Sequence, residues 1–259
     1  LHLGYNPLQF VKEADVILVI DADVPWNYTT QPNLDSQVFY IDIDPLKQSI
    51  PLWYMPSDRF YQADSEIVLD QFLSFVDKID SNSPKIAERH RRYQEMHSQL
   101  RLQWQKEAQL DAEGPITASM IASVINQVID ENTIVLNEAT SNKQAIWKQI
   151  PRSKPGTLLG PGGSSLGWSG GAAVGVKLAC PDQMVVNIVG DGTYFFSLPS
   201  TVYWMAQKYN APILTVILNN GGWNAPRVGV KGLHPGGMAE THNLYWVDFN
   251  PHAQLAWRR

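Results

Sequence analysis

Short, nearly continuous apolar runs that each end in a small polar cluster, and are each set off by a helical pattern, leave this chain little choice of fold. Thr133–Asn137, Met184–Val189 and Pro212–Leu218 are such runs. They suit strands covered on both faces, as in a parallel sheet. Between and beside them lie helical patterns at Asn142–Ile150, Leu166–Ala179 and Leu198–Tyr209, with a short strand near Thr157–Leu159. Ahead of them, Thr117 stands where it can cap a helix with an apolar stripe of Met120, Ile121, Val124, Ile125 and Val128. Parallel neighbours require crossover connections, usually helices. Residues 116–259 are therefore expected to form an α/β domain with a doubly wound parallel sheet, in which ligands gather at the carboxyl ends of the strands.

Residues 1–80 follow the same logic on a smaller scale. Asp15–Asp21 and Gln37–Ile43 read as strands ending in acids, and Glu66–Ile79 places Ile67, Val68, Phe72, Phe75, Val76 and Ile79 at helical spacing. Ser81-Asn82-Ser83-Pro84 then breaks the pattern. A polar helix follows with only a narrow stripe of Ile86, Tyr93, Leu100 and Trp104, and Gly114-Pro115 ends it. The expected organisation is a partial Rossmann-like α/β unit (1–80), a helical connector (81–115) and the larger α/β domain (116–259).

Composition excludes several classes. With 44% hydrophobic and 17% charged residues the chain can build a sizeable core. A net charge of −5 leaves no basic footprint for nucleic acid. The single cysteine, Cys180, excludes a disulfide within the chain and a cysteine metal cluster. Apolar runs such as Val16–Ile20 are far too short to span a bilayer. No signal-peptide pattern opens the sequence, so a cytoplasmic or organellar location is expected. The chain begins without Met, in what reads as mid-domain sequence, and is expected to be a fragment. Gly160-Pro161-Gly162-Gly163-Ser164-Ser165 has Ser where a dinucleotide fingerprint needs its last glycine, and no P-loop lysine motif is present.

Two strand ends carry the chemistry. Val189-Gly190-Asp191-Gly192-Thr193 delivers a carboxylate between glycines that let backbone approach a phosphate. Leu218-Asn219-Asn220-Gly221-Gly222 ends the next strand. An acid, an amide and exposed carbonyls at adjacent strand ends form an oxygen-rich site suited to Mg²⁺ shared with phosphate oxygens. Alone, each is an ordinary turn sequence; one helix and one strand apart (193–218), they are far more specific.

This pairing resembles the thiamine diphosphate (ThDP) motif of the acetolactate synthase, pyruvate oxidase, benzoylformate decarboxylase and oxalyl-CoA decarboxylase superfamily. The resemblance implies that Asp191, the Asn220 side chain and the Gly222 carbonyl hold the metal. It implies that Thr193 contacts the diphosphate beside Gly190 and Gly192, and that Asn219 braces the loop. Upstream, Gly162-Gly163-Ser164-Ser165-Leu166-Gly167-Trp168-Ser169-Gly170-Gly171-Ala172-Ala173-Val174-Gly175 resembles the family's glycine-rich turn into a small-residue helix. By that match Leu166 wedges between the two cofactor rings, and the Ser164 carbonyl accepts a hydrogen bond from the aminopyrimidine. Ala14–Asp21 and Ile41-Asp42-Ile43-Asp44-Pro45 resemble strands of the family's central domain, which holds FAD or a nucleotide in some members. Nothing in these residues supports that ligand independently; Asp42 either reaches a ribose hydroxyl or simply ends a strand.

The implied function is that of the C-terminal part of a ThDP- and Mg²⁺-dependent decarboxylase, lyase or carboligase. Its small-molecule substrates would be 2-keto or 2-hydroxyacyl compounds, and its type acetolactate synthase-like. The alternatives are an oxalyl-CoA decarboxylase or 2-hydroxyacyl-CoA lyase, and a catalytically silent protein of the same fold. In the family a Glu on a separate N-terminal domain activates the cofactor, so no catalytic residue is expected within these 259 residues and the chain alone is expected to be inactive. Glu138 is not that Glu by position; it stands near the cofactor or substrate mouth, or else serves as an acid at a helix start. Trp223 and Trp168 are candidates for apolar walls. His234 and His242 fall in a Gly/Pro-rich loop where such enzymes often carry a lid; each either belongs to a lid or is a solvated loop histidine. The domain is expected to be truncated at its C-terminus, and the full-length form to be a homodimer or homotetramer without nucleic-acid or membrane partners.

Overall fold

The computed structural model describes residues 2–26, 31–50, 56–76, 78–79, 83–109, 114–163 and 166–234. They fall into two compact units, Leu1–Arg101 and Leu102–Arg259.

In the first unit, α1 (Leu8–Val11) precedes a three-stranded parallel sheet of β1 (Val16–Ile20), β2 (Gln37–Asp42) and β3 (Arg59–Gln62), in that order. Val11, Val19, Trp26, Val38 and Tyr40 form its core. The sequence does not announce β3, because Arg59-Phe60-Tyr61-Gln62 is polar at both ends and exposed throughout. In α2 (Ser65–Val76) the expected apolar residues stand at helical spacing, yet none of its described residues is buried; Ile67 is 59% and Leu73 64% exposed. The helix starts where the Asp64 carboxylate accepts the Glu66 amide at 3.0 Å, and ends short of the expected Ile79. A single helix, α3 (Pro84–Glu107), carries the division between the units and buries Trp104. Its Pro sits at the first helical position, where the missing N–H costs nothing.

The second unit is the doubly wound parallel sheet. Its strands are β4 (Ile134–Glu138), β5 (Leu158–Leu159), β6 (Val185–Gly190) and β7 (Leu214–Leu218), in the order β5-β4-β6-β7. All pairings are parallel. Side chains alternate across the pleat. Val135, Val186 and Ile188 join Ala122 and Ile125 of α4 (Ala118–Val128), with Ile146 of α5 (Lys143–Gln149), on one face. Ile134, Leu136 and Val185 meet Ala173 of α6 (Trp168–Ala179) on the other. Behind α6, Val174 packs on Val202 and Ala206 of α8 (Pro199–Lys208). Thr117 caps α4, its hydroxyl accepting the Met120 amide at 3.2 Å. Among the described residues no helix is long and apolar enough to cross a membrane.

The elements around the strand ends depart from expectation. α6 begins at Trp168 rather than Leu166, because Gly167 adopts a left-handed conformation at φ 88°. After β6 the chain does not turn and wait for α8. It enters a short helix at once, α7 (Asp191–Phe196). Where a Gly/Pro-rich loop was expected after the Asn pair, the chain forms α9 (Asn224–Leu233). Pro226 lies in its first turn, where proline is tolerated. His234 closes this helix, its amide donating to the Val230 carbonyl at 2.8 Å. His242 lies outside the described residues.

Candidate functional site

The carboxyl ends of β4, β6 and β7 open onto one cavity of about 440 Å³. Glu138, Leu166, Gly190, Asp191, Gly192, Thr193, Asn220, Gly222 and Trp223 all line it. The structure thus brings together most of the residues singled out in the sequence. Ser164 lies outside the described residues, and His234 and Trp168 are not among the lining residues.

Asp191 opens α7 directly from β6. It is 8% exposed, and its Oδ2 has no hydrogen-bond partner among the described residues. A buried carboxylate oxygen without a partner is costly unless something else satisfies it. Thr193 is buried two residues on. No side chain of Gly190 can cap α7, so the first-turn amides remain available to an anion. Gly192 leaves room that the Trp223 side chain fills. A Cβ there would stand 1.9 Å from Trp223 Cδ1 and 2.1 Å from Trp223 Nε1. The indole lies against the glycine backbone and meets Phe196 edge-on, with ring centroids 5.9 Å apart. Trp223 thereby ties the loop after β7 to α7 and walls the cavity.

Both asparagines brace their own turn. Asn219 Oδ1 accepts the Gly221 amide at 2.9 Å, and Asn220 Oδ1 accepts the Gly222 amide at 3.3 Å. Gly221 permits the turn with φ 80°. On the other wall, Glu138 ends β4 only 4% exposed. Its Oε2 accepts the Ser169 amide at 2.7 Å and its Oε1 the Trp168 amide at 3.2 Å, both at the start of α6.

Sequence reasoning missed the loop after β4. Asn137, Thr140, Ser141, Asn142 and Lys143 line the cavity as well. Asn137 is buried and holds this loop, donating from Nδ2 to the Lys143 carbonyl at 3.1 Å and accepting the Ala139 amide at 3.2 Å. The available signal was a polar cluster at a strand's carboxyl end, the same one that exposed the other two strand ends.

These residues fit a Mg²⁺-diphosphate group. They provide an unsatisfied buried carboxylate, an amide side chain, a nearby backbone carbonyl and uncapped helix amides, all hard oxygen or anion-binding groups. Among the described residues no group of three or more His, Cys, Asp and Glu is placed to hold a metal, so a cation here would depend on ligand oxygens to complete its shell.

In the first unit, Asp42 is occupied. Its carboxylate receives Lys47 Nζ at 2.7 Å and the Asp44 amide at 2.8 Å, while Lys47 also reaches Asp23 at 2.9 Å. Burial pushes the Asp42 carboxyl up, but the bonds from Lys47 and from backbone outweigh it and hold the group below the usual carboxylate range.

Residues 138–256 match the family described as thiamine pyrophosphate enzyme, C-terminal TPP binding domain. The chain is 33% identical over 114 residues to benzoylformate decarboxylase of Pseudomonas aeruginosa, covering 44% of this chain and 21% of that protein. It is 24% identical over 228 residues to the acetolactate synthase isozyme 3 large subunit of Escherichia coli, covering 85% of this chain and 38% of that protein. It therefore spans well under half the length of these curated relatives. Among solved structures, the ThDP-dependent 4-hydroxybenzoylformate decarboxylase of Rhodococcus jostii shares its fold, with a TM-score of 0.65 at 24% identity over 91% of this chain and 42% of that one. Benzoylformate decarboxylase from Polynucleobacter necessarius does so with a TM-score of 0.67 at 18% identity, again over 91% of this chain and 42% of that one. The stretch that delivers the strand ends of the cavity, residues 138–256, is thus the part of the chain that is similar to the C-terminal TPP binding domain of thiamine pyrophosphate enzymes.

Proposed function

We propose that this domain anchors ThDP through Mg²⁺ for an enzyme that cleaves or forms carbon–carbon bonds on 2-keto or 2-hydroxyacyl substrates. The observation that carries the reading is the buried, unpartnered Asp191 Oδ2 at the mouth of β6, beside the uncapped start of α7. Asp191, the Asn220 side chain and the Gly222 carbonyl would hold the metal, and Thr193 with the first-turn amides of α7 the diphosphate. Leu166 would shape the space for the rings. Once bound, the cofactor supplies the nucleophilic carbon and the electron sink that such reactions need. The chain's own part is to fix the cofactor's tail and, through Trp223 and Leu166, to keep water off its reactive end.

Relatives named as benzoylformate decarboxylase and acetolactate synthase support a decarboxylase, lyase or carboligase. The test is to incubate the holoenzyme with ThDP, Mg²⁺ and either pyruvate or benzoylformate, and to follow CO₂ release and carboligation products. Turnover of one of them, lost on chelating Mg²⁺, is expected. Tight ThDP binding with no turnover of either would replace the catalytic reading with that of a silent cofactor-binding protein.

A further inference from the structure

We propose that Glu138 is a positioning residue that fixes Leu166 for the cofactor's rings by holding the start of α6. The inference rests on the ThDP reading of the site given above.

A carboxylate that is 4% exposed must be satisfied, and Glu138 is satisfied by backbone alone. Its two oxygens take the Trp168 and Ser169 amides at 3.2 and 2.7 Å, 30 and 31 residues away in sequence. These are orphan donors of the first turn of α6, where an acid is favoured by the helix dipole. α6 cannot cap itself, because its N-cap residue is Gly167, which has no side chain. The helix start is therefore held from the sheet, by the residue that ends β4.

A second close approach involves the same turn. The Gly167 backbone lies so close to the end of α7 that a Cβ would come within 2.8 Å of Phe196 C, Phe196 O and Ser197 N. Leu166 thus precedes a residue pinned between β4 and α7, and α7 is the helix that begins with Asp191. Both struts belong to the frame that holds the diphosphate, so Leu166 is set in register with the tail anchor. Each Glu138 oxygen thus accepts one amide from the start of α6.

This separates two ligands that share one tail. Inorganic pyrophosphate with Mg²⁺ needs only the anchor at Asp191, whereas ThDP with Mg²⁺ also needs the ring wall. Calorimetric titration of the wild type, Glu138→Gln and Glu138→Asp with each ligand is the experiment. Gln keeps the shape but faces one helix amide with its own NH₂ group. It should weaken ThDP about tenfold, a loss of about 1.4 kcal/mol, and leave pyrophosphate within about twofold. Asp keeps the charge but reaches only one amide, and should fall between wild type and Gln for ThDP alone. If Glu138→Gln fails to fold, Glu138→Asp carries the test with the same selective loss. Equal weakening of both ligands, or of neither, overturns the inference. A wild type that binds neither ligand overturns the ThDP reading instead.

Discussion

Replacing Gly167 by Ala should destabilise the second unit, whereas the same replacement four residues later in the same helix should stabilise it. At Gly167 two costs add. A left-handed backbone at φ 88° costs a residue with a Cβ about 1–2 kcal/mol. The new methyl would meet Phe196 C, Phe196 O and Ser197 N at 2.8 Å, backbone atoms that cannot swing aside, for about 1–3 kcal/mol more. The sum is about 2–5 kcal/mol. Gly171 lies exposed inside α6, and a Cβ there meets nothing within 4 Å. Alanine at that site should gain about 0.5–1 kcal/mol by helix propensity. Urea unfolding followed by far-UV circular dichroism measures both, and the two midpoints should move in opposite directions. A Gly167→Ala midpoint at or above that of wild type would refute the claim that the start of α6 is clamped against α7.

Two further predictions concern charge. Lys47→Met strands the buried Asp42 carboxylate and should weaken the first unit by about 3–5 kcal/mol at neutral pH, read from hydrogen exchange of the β1 and β2 amides. Because the folded-state pKa of Asp42 is depressed, its stabilising contribution exists above the ordinary carboxylate range and disappears as pH falls through the folded value; the variant's deficit should shrink in acid, and a pH-independent deficit would count against the pair. Burial, with a smaller contribution from Tyr203, pushes the Tyr194 phenol up to about 12. The unfolded chain gives up this proton first, so stability should fall as pH rises from the ordinary tyrosine range towards 12, and Tyr194→Phe should flatten that slope in alkaline denaturation.

Much of the fold was legible because the strands of the second unit are buried on both faces. Val135, Val186 and Ile188 and their neighbours had to be apolar whichever way they pointed, and the runs announce themselves. The cap at Thr117 was legible because capping is local. What escaped was structure decided elsewhere in the chain or masked by glycine. β3 exists through pairing with β2, not through its own sequence. α7 starts inside a Gly-Asp-Gly that reads as a turn, and α9 contains Pro226, Gly229 and Gly232, which read as a loop. The site divided along the same line. That Asp191, Thr193 and Asn220 line one cavity could be expected because strand ends collect ligands in this topology. The fit of Trp223 over Gly192 could not, and neither could the reach of Glu138 to the start of α6, because both join segments some thirty residues apart.

The proposal that Asp191 holds a metal-bound diphosphate is tested most directly by calorimetric titration of ThDP into wild type and Asp191→Asn, with and without Mg²⁺. The substitution keeps the shape of the side chain and removes its charge. Binding by the wild type should require Mg²⁺, and Asp191→Asn should weaken it by about a hundredfold or more, about 2.7 kcal/mol. Equal ThDP affinity in the two proteins, or affinity indifferent to Mg²⁺, would contradict the assignment of this cavity.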